Sequence, residues 1–364
     1  MDAYLQKMQS VVDKVLLTVL EVNHAFLSLT VRELIFHSFL IGSAALLFLY
    51  ALSKFFSASF SYKGRHVLVT GGSSGIGLAT AIKYAKLGAR VTIVARNQKK
   101  LDIALEQLRP HCEKTGQKAS AISCDTSASF EECQKKLIND KVGLVDVLVN
   151  CAGTSIAGSF EDLDASQFEN MLRTNVLGSV YPTKALLPAM KDSGKGGRII
   201  FVASQVAQVA IHGYTAYAAS KWALRGLAEA LQMEVKPYGI YVSVCYPPDT
   251  DTPGYEAEMV TKPDITKRLS AAGQVFSSDS VAKDIVQFSA KGYFGISTGF
   301  DGWLLKQLHP GMTPCNNLWE CWQGILFSGL ARLISLFYIS AWDAECFELA
   351  AEEQKAKRAA KKGK

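Results

Sequence analysis

Tyr217 and Lys221 stand four residues apart in the run Tyr-Ala-Ala-Ser-Lys, and on a helix that spacing puts both side chains on one face. The pair has a use in carbonyl chemistry. A ketone that accepts a hydride develops negative charge on its oxygen and must then take a proton. A phenol with its usual pKa of about 10 is a weak acid–base partner near neutrality, and a neighbouring ammonium is expected to bring that value down. A tyrosine beside a lysine is, alone, ordinary surface. Ser204 changes that: it ends the apolar run Arg198-Ile-Ile-Phe-Val-Ala-Ser204, thirteen residues before Tyr217, and its hydroxyl can bond the same substrate oxygen.

A second group of residues has the spacing to hold a phosphate. Thr70-Gly71-Gly72-Ser73-Ser74-Gly75-Ile76-Gly77 follows the β-branched run His66–Thr70 and precedes a helical stretch read over 79–87. Glycines 71, 75 and 77 let the chain turn tightly, and with Ser73, Ser74 and Ile76 they bring backbone N–H groups to a helix N-terminus, where a pyrophosphate binds. A glycine-rich turn collects glycine for backbone reasons too, so its place between strand and helix gives it weight.

These groups need a scaffold, and the middle of the chain supplies one. From Tyr62 to about Leu308, short β-branched runs (66–70, 90–95, 119–124, 145–150, 198–203 and 240–246) alternate with amphipathic helical stretches. Alternation of that kind predicts right-handed βαβ units and a doubly wound parallel sheet, an α/β fold of Rossmann type.

With every motif in order over roughly residues 62–300, this region resembles the short-chain dehydrogenases/reductases. The resemblance implies that Asn175, in Arg-Thr-Asn-Val, joins Ser204, Tyr217 and Lys221 as a fourth catalytic residue that holds a proton-relay water. It implies that Asn150-Cys151-Ala152-Gly153, like the family's Asn-Ala-Gly segment but with a cysteine inserted, supports the sheet and the adenosine ribose. Asp125 looks like the adenine-contacting acid, Thr252 joins the cofactor site, and Tyr217 and Lys221 serve the cofactor as well, Lys221 through the nicotinamide ribose. The second strand ends in Arg96 with no acid, which suits a 2′-phosphate and predicts NADPH. The string Tyr246-Pro-Pro-Asp-Thr-Asp-Thr-Pro-Gly254 departs from the wider family. With residues 226–238 and 178–182 it resembles the branch that reduces 3-ketodihydrosphingosine, a long-chain keto-amine lipid, in sphingolipid synthesis. A membrane-anchored hydroxysteroid or retinoid dehydrogenase is the second enzyme reading, and a non-catalytic NADPH-sensing scaffold the reading from another class.

The ends of the chain differ from its middle. Mean hydropathy is +0.12, and the apolar excess gathers near 34–56 and 324–342. Leu34–Leu52 is nineteen residues without a charge, and as a helix it reaches about 28 Å, one hydrocarbon core. The domain reading is therefore an amphipathic extension (1–33), a transmembrane anchor (34–56), the reductase (62–308), an apolar membrane-associated segment (309–347) and a basic tail (348–364). Arg332 in mid-segment would cost roughly 2.5–3.5 kcal/mol in a simple span, so an interfacial or re-entrant helix is expected there. The net charge of +6 is local, because Lys355, Lys357, Arg358, Lys361, Lys362 and Lys364 fall in the last ten residues. No basic folded face points to nucleic acid. Lys361 and Lys362 resemble a dilysine retrieval signal read from the cytosol, so the expected location is the endoplasmic reticulum membrane with the catalytic domain outside the lumen. The eight cysteines and six histidines show no metal spacing and are assigned no metal role. A homo-oligomer stays open.

Overall fold

In a computed structural model of the protein the residues described are 13–21, 33, 36–38, 40–45, 48, 59–139, 142–271, 273–308 and 313–362. The chain divides into two compact units, 1–57 and 58–364. The expected extension and N-terminal anchor both lie in the first unit and largely outside the described residues.

In the second unit nine strands and eleven α-helices alternate among the described residues. The strands are β1 (His66–Thr70), β2 (Arg90–Ala95), β3 (Ala119–Ser123), β4 (Val147–Asn150), β5 (Gly197–Val202), β6 (Ile240–Tyr246), β7 (Thr250–Asp251), β8 (Phe276–Ser277) and β9 (Gly295–Ser297). The helices are α1 (Gly75–Lys86), α2 (Gln98–Glu113), α3 (Phe130–Leu137), α4 (Ala165–Leu172), α5 (Gly178–Asp192), α6 (Thr215–Val235), α7 (Pro253–Thr261), α8 (Asp264–Ser270), α9 (Ser278–Ala290), α10 (Gly299–Leu308) and α11 (Leu318–Lys362). A seven-stranded sheet runs in the order β3-β2-β1-β4-β5-β6-β9, and every pairing in it is parallel. The order reverses between β1 and β4. Their chains leave the sheet in opposite directions there, and a crevice opens above the strands' carboxyl ends.

Parallel strands covered on both faces are apolar throughout, and β1 shows why. Val67 and Val69 pack with Tyr84 of α1, Leu101 of α2 and Ile285 of α9 on one face. Leu68, between them, points to the other face with Leu186 of α5 and Leu224 and Leu231 of α6. Polar residues pin the opposite, amino end of the strands. His66 is 4% exposed. Its Nδ1 lies 2.7 Å from Arg90 Nη2 and its Nε2 2.8 Å from Thr92 Oγ1. Burial first, and the Arg90 guanidinium second, pull the imidazole down to about 4.

The C-terminal part clasps the last strand. Asn316 Oδ1 accepts from the Phe294 N–H at 2.5 Å, and Asn316 Nδ2 donates to the Gly295 carbonyl at 3.4 Å. Asn317 Nδ2 donates to Tyr293 Oη at 3.0 Å, and Glu320 pairs with Lys306. From there α11 runs unbroken into the basic residues expected to form a separate tail. Within its stretch Leu318–Leu349 an eighteen-residue window reaches a mean hydropathy of 1.6, and among the described residues this is the one helix long and apolar enough to cross a membrane. Ile325, Leu330, Leu333 and Phe337 are exposed along it. Arg268 of α8 reaches Glu345 of α11 at 3.4 Å.

Candidate active site

The crevice floor is made by backbone meeting backbone. Gly71 has φ +66°, which favours glycine, and a Cβ there would stand 2.8 Å from the main chain of Cys151 and Ala152. At Gly77 a Cβ would stand 2.2 Å from the Gly71 carbonyl oxygen. These two glycines let the β1 turn lie against both the β4 turn and the start of α1. Thr70 joins the turns, its Oγ1 accepting from Cys151 N at 3.1 Å and Ala152 N at 3.2 Å. Helix α1 starts at Gly75, four residues before the sequence suggested. Its N-cap Ser74 makes no side-chain cap and no acid stands in its first turn. The free N–H groups around Ser73, Ser74, Gly75 and Ile76 are therefore left for an anion, and the cradle that side chains would have filled fits a pyrophosphate.

Asn175 sits in a π-helical turn, Arg173–Leu177, between α4 and α5, and is fully buried. π turns widen the hydrogen-bond ladder and are frequent at functional sites. Its Oδ1 accepts from Thr154 N at 2.8 Å, and its Nδ2 donates to Thr154 O at 3.0 Å and to Ser220 Oγ at 2.8 Å. Ser220 Oγ in turn donates to the Tyr217 carbonyl at 2.7 Å. The amide thus clamps the strand β4 turn to helix α6. A Cβ on Gly153 would lie 3.1 Å from Asn175 Oδ1 and 3.4 Å from Lys221 Nζ, so both side chains converge on the bare face of that glycine.

Lys221 is 5% exposed and its Nζ donates to the Val202 carbonyl at 3.0 Å. Burial pulls its ammonium down to about 8. Tyr217 lies on the same face of α6, yet the Lys221 Nζ is 5.7 Å from its ring centre. The expected lowering of the phenol is corrected here. Burial raises Tyr217 above its ordinary value, the Glu258 and Asp249 carboxylates raise it further, and the Ser204 hydroxyl bonded to it opposes them. The phenol therefore keeps its proton, as an acid should. Ser204 caps a short 3-10 turn, its Oγ accepting from Val206 N at 3.2 Å.

The remaining predicted residues lie around this centre at different depths. Asn150 is 1% exposed and its Nδ2 donates to Thr183 Oγ1 at 3.0 Å, which ties β4 to α5 from inside. Asp125 accepts from Ser127 N at 2.9 Å and Ser127 Oγ at 2.7 Å. Exposed Arg96 stands 3.9 Å from Asp125 Oδ2, at the carboxyl ends of β2 and β3. Thr252 caps α7, accepting from Tyr255 N at 3.0 Å, and its methyl closes on Gly75.

One group escaped the sequence reading. Glu258 of α7 accepts from the Tyr214 hydroxyl, and the Tyr214 and Tyr217 rings are 5.6 Å apart. Lys262 Nζ lies 3.6 Å from both Glu258 Oε1 and Asp249 Oδ2. Only the unusual string at 246–254 hinted at it.

A glycine turn with free N–H groups, a buried lysine and a tyrosine whose phenol burial raises thus open on one crevice, an arrangement suited to hydride transfer. Residues 65–262 match the family model described as short chain dehydrogenase. The chain belongs to the short-chain dehydrogenase family. It is 47% identical to the 3-ketodihydrosphingosine reductase of Bos taurus, over 83% of this chain and 91% of that one. It is 46% identical to the 3-dehydrosphinganine reductase of Danio rerio, with the same coverage of 83% and 91%. Among solved structures of the family, a variant of actinorhodin polyketide ketoreductase with NADPH is 28% identical, with a TM-score of 0.58 over 65% of this chain and 95% of that one. All eight cysteines are free, and among the described residues no cluster of potential metal ligands occurs.

Proposed function

We propose that the protein reduces the ketone of 3-ketodihydrosphingosine to the alcohol, with NADPH as reductant, at the surface of the endoplasmic reticulum membrane. The convergence of Tyr217, Lys221, Asn175 and Ser204 on one crevice carries the reading, in a chain whose vertebrate relatives bear that reductase's name. A bound nicotinamide supplies hydride to the carbonyl carbon. Tyr217 donates its proton to the carbonyl oxygen, so that carbon and oxygen each gain one hydrogen. Ser204 bonds that oxygen and holds it within reach of the phenol. Lys221 holds the nicotinamide ribose hydroxyls, and with Asn175 it returns a proton to Tyr217 through a relay water.

The residues fit the cofactor. Gly71, Ser73, Ser74, Gly75, Ile76 and Gly77 cradle its pyrophosphate, Asp125 the adenine, Asn150 the sheet beneath the ribose, and Thr252 the nicotinamide end. Arg96, exposed at the carboxyl end of β2, a strand that ends without an acid for the ribose, selects the 2′-phosphate. The exposed apolar length of α11 supports a membrane seat for this part of the chain. A second anchor at residues 34–56 would add to it. The run of free cysteines and the basic residues over 355–362 favour a cytosolic face.

Turnover of the purified protein with NADPH on 3-ketodihydrosphingosine, beside a ketosteroid, tests the reading. Tyr217→Phe should lower the rate by about 10²–10⁴-fold, the usual cost of a lost general acid. Near wild-type reduction by that variant would remove the proton donor, and reduction of ketosteroids alone would remove the substrate.

A further inference from the structure

The loop after β6 crosses the whole crevice. It begins beside Ser204, where the Pro247 carbonyl accepts from Gln205 N at 3.0 Å, and it ends at Thr252 against Gly75. Asp249 lies midway. Its carboxylate and that of Glu258 share the single ammonium of Lys262, at 3.6 Å each. Two carboxylates against one ammonium leave one negative charge unneutralised. That charge stands next to the reacting phenol, through Tyr214, which bonds Glu258 and touches the Tyr217 ring at 5.6 Å.

The cluster is built to hold something more. The Lys262 side chain is 1% exposed, and its Nζ has no hydrogen-bond partner although it is directed between the two acids. The rings of Tyr214 and Tyr255 flank it at 5.5 and 5.7 Å. A buried ammonium with donors to spare is costly unless an acceptor arrives. Both carboxylates accept from a tyrosine hydroxyl, Glu258 from Tyr214 and Asp249 from Tyr255, but Glu258 is 10% exposed and Asp249 34%. Asp249 is therefore the acid with an oxygen open to the crevice.

We infer that Asp249, backed by Glu258 and Lys262, is the specificity site for a protonated amine next to the ketone being reduced. The inference rests on the amino-ketone reading of the substrate and names what recognises its head. The substrate ammonium donates to Asp249 and takes up the spare negative charge, while the neighbouring primary hydroxyl accepts from Lys262. Both contacts lie one and two carbons from the carbonyl held by Ser204 and Tyr217, which fixes the ketone at the reacting hydroxyl. A neutral ketone of equal length would leave the charge unmet.

Kinetics of the full-length protein with NADPH on 3-ketodihydrosphingosine, and on the same hydroxy ketone lacking the amine, test this. Wild-type protein should favour the amine-bearing substrate in kcat/KM. Asp249→Asn should reduce that preference by about 10- to 100-fold, the loss of one charge-assisted hydrogen bond. An Asp249→Asn ratio equal to wild type overturns the assignment. If that variant does not fold, wild-type protein decides alone, since equal kcat/KM on the two ketones also overturns it. Wild-type protein that reduces neither ketone but turns over a ketosteroid removes the substrate reading itself, and this proposal with it.

Discussion

Replacing Gly71 by alanine should separate the two turns that form the crevice floor. The residue has φ +66°, which costs an L-residue about 1–2 kcal/mol. The new Cβ would also stand 2.8 Å from the Cys151 carbonyl and the Ala152 nitrogen, both main chain and unable to swing aside. Relieving that overlap means pushing the β1 and β4 turns apart, which breaks the hydrogen bonds from Cys151 N and Ala152 N to Thr70 Oγ1. At about 0.5–1.5 kcal/mol each, they bring the expected loss to roughly 2–5 kcal/mol, a large part of the ~5–15 kcal/mol that folds a domain. Urea unfolding in detergent should show a lower midpoint with an unchanged slope, and dinucleotide affinity should fall with it. Gly226, in α6 with nothing within 4 Å of its would-be Cβ, is the contrast. Gly226→Ala should gain about 0.5–1 kcal/mol. A Gly71→Ala protein with wild-type midpoint and dinucleotide affinity would refute the close-approach argument.

Three further outcomes follow from the site and its support. Lys221 is charged below about 8 and loses its proton above; dinucleotide affinity, measured by fluorescence titration, should weaken as pH rises through that value, and a flat profile from pH 7 to 9 would contradict the role. His66 is held neutral down to about 4 against an ordinary 6.5, so the unfolded chain binds the extra proton between those values. Stability should then decline as pH falls from 6.5 toward 4, by up to about 3 kcal/mol, and unfolding midpoints of wild type and His66→Gln should converge at the acid end. Arg96→Ala should raise the KM for NADPH while leaving that for NADH near its wild-type value, and an unchanged NADPH KM would remove Arg96 from cofactor selection.

The sheet was legible because its signals are local. The bounds of β1, β2 and β6 follow from β-branched runs, and the glycine spacing marks the turn after β1. Helix α1 begins earlier than its composition suggests, since glycines at 75 and 77 read as loop until the Thr252 side chain and the Gly71 main chain require their bare faces. β9 is three residues long, too short for a period to show. Tyr217 and Lys221 were correctly set on one helix face, but spacing cannot tell where a long side chain goes. The Lys221 ammonium swings to the Val202 carbonyl, and burial, reinforced by the Glu258 and Asp249 carboxylates, decides the sense in which Tyr217 shifts. Asp249, Glu258 and Lys262 read singly as solvated charges, and only the packing of α7 against Tyr214 turns them into a site.

The Asn316 clasp also bears on how the sheet ends. β9 is an edge strand, and its outer face would otherwise offer unpaired peptide groups to any strand that came near. The Asn316 side chain bonds the Phe294 N–H and the Gly295 carbonyl, as a neighbouring peptide would, and so closes that edge without adding a strand. The lock belongs to the approach to α11 rather than to its apolar length. A chain cut just after α10 to remove the greasy helix would therefore uncover β9, and such trimmed protein should stick edge to edge. Cutting beyond Glu320 keeps both the amide and its ion pair with Lys306.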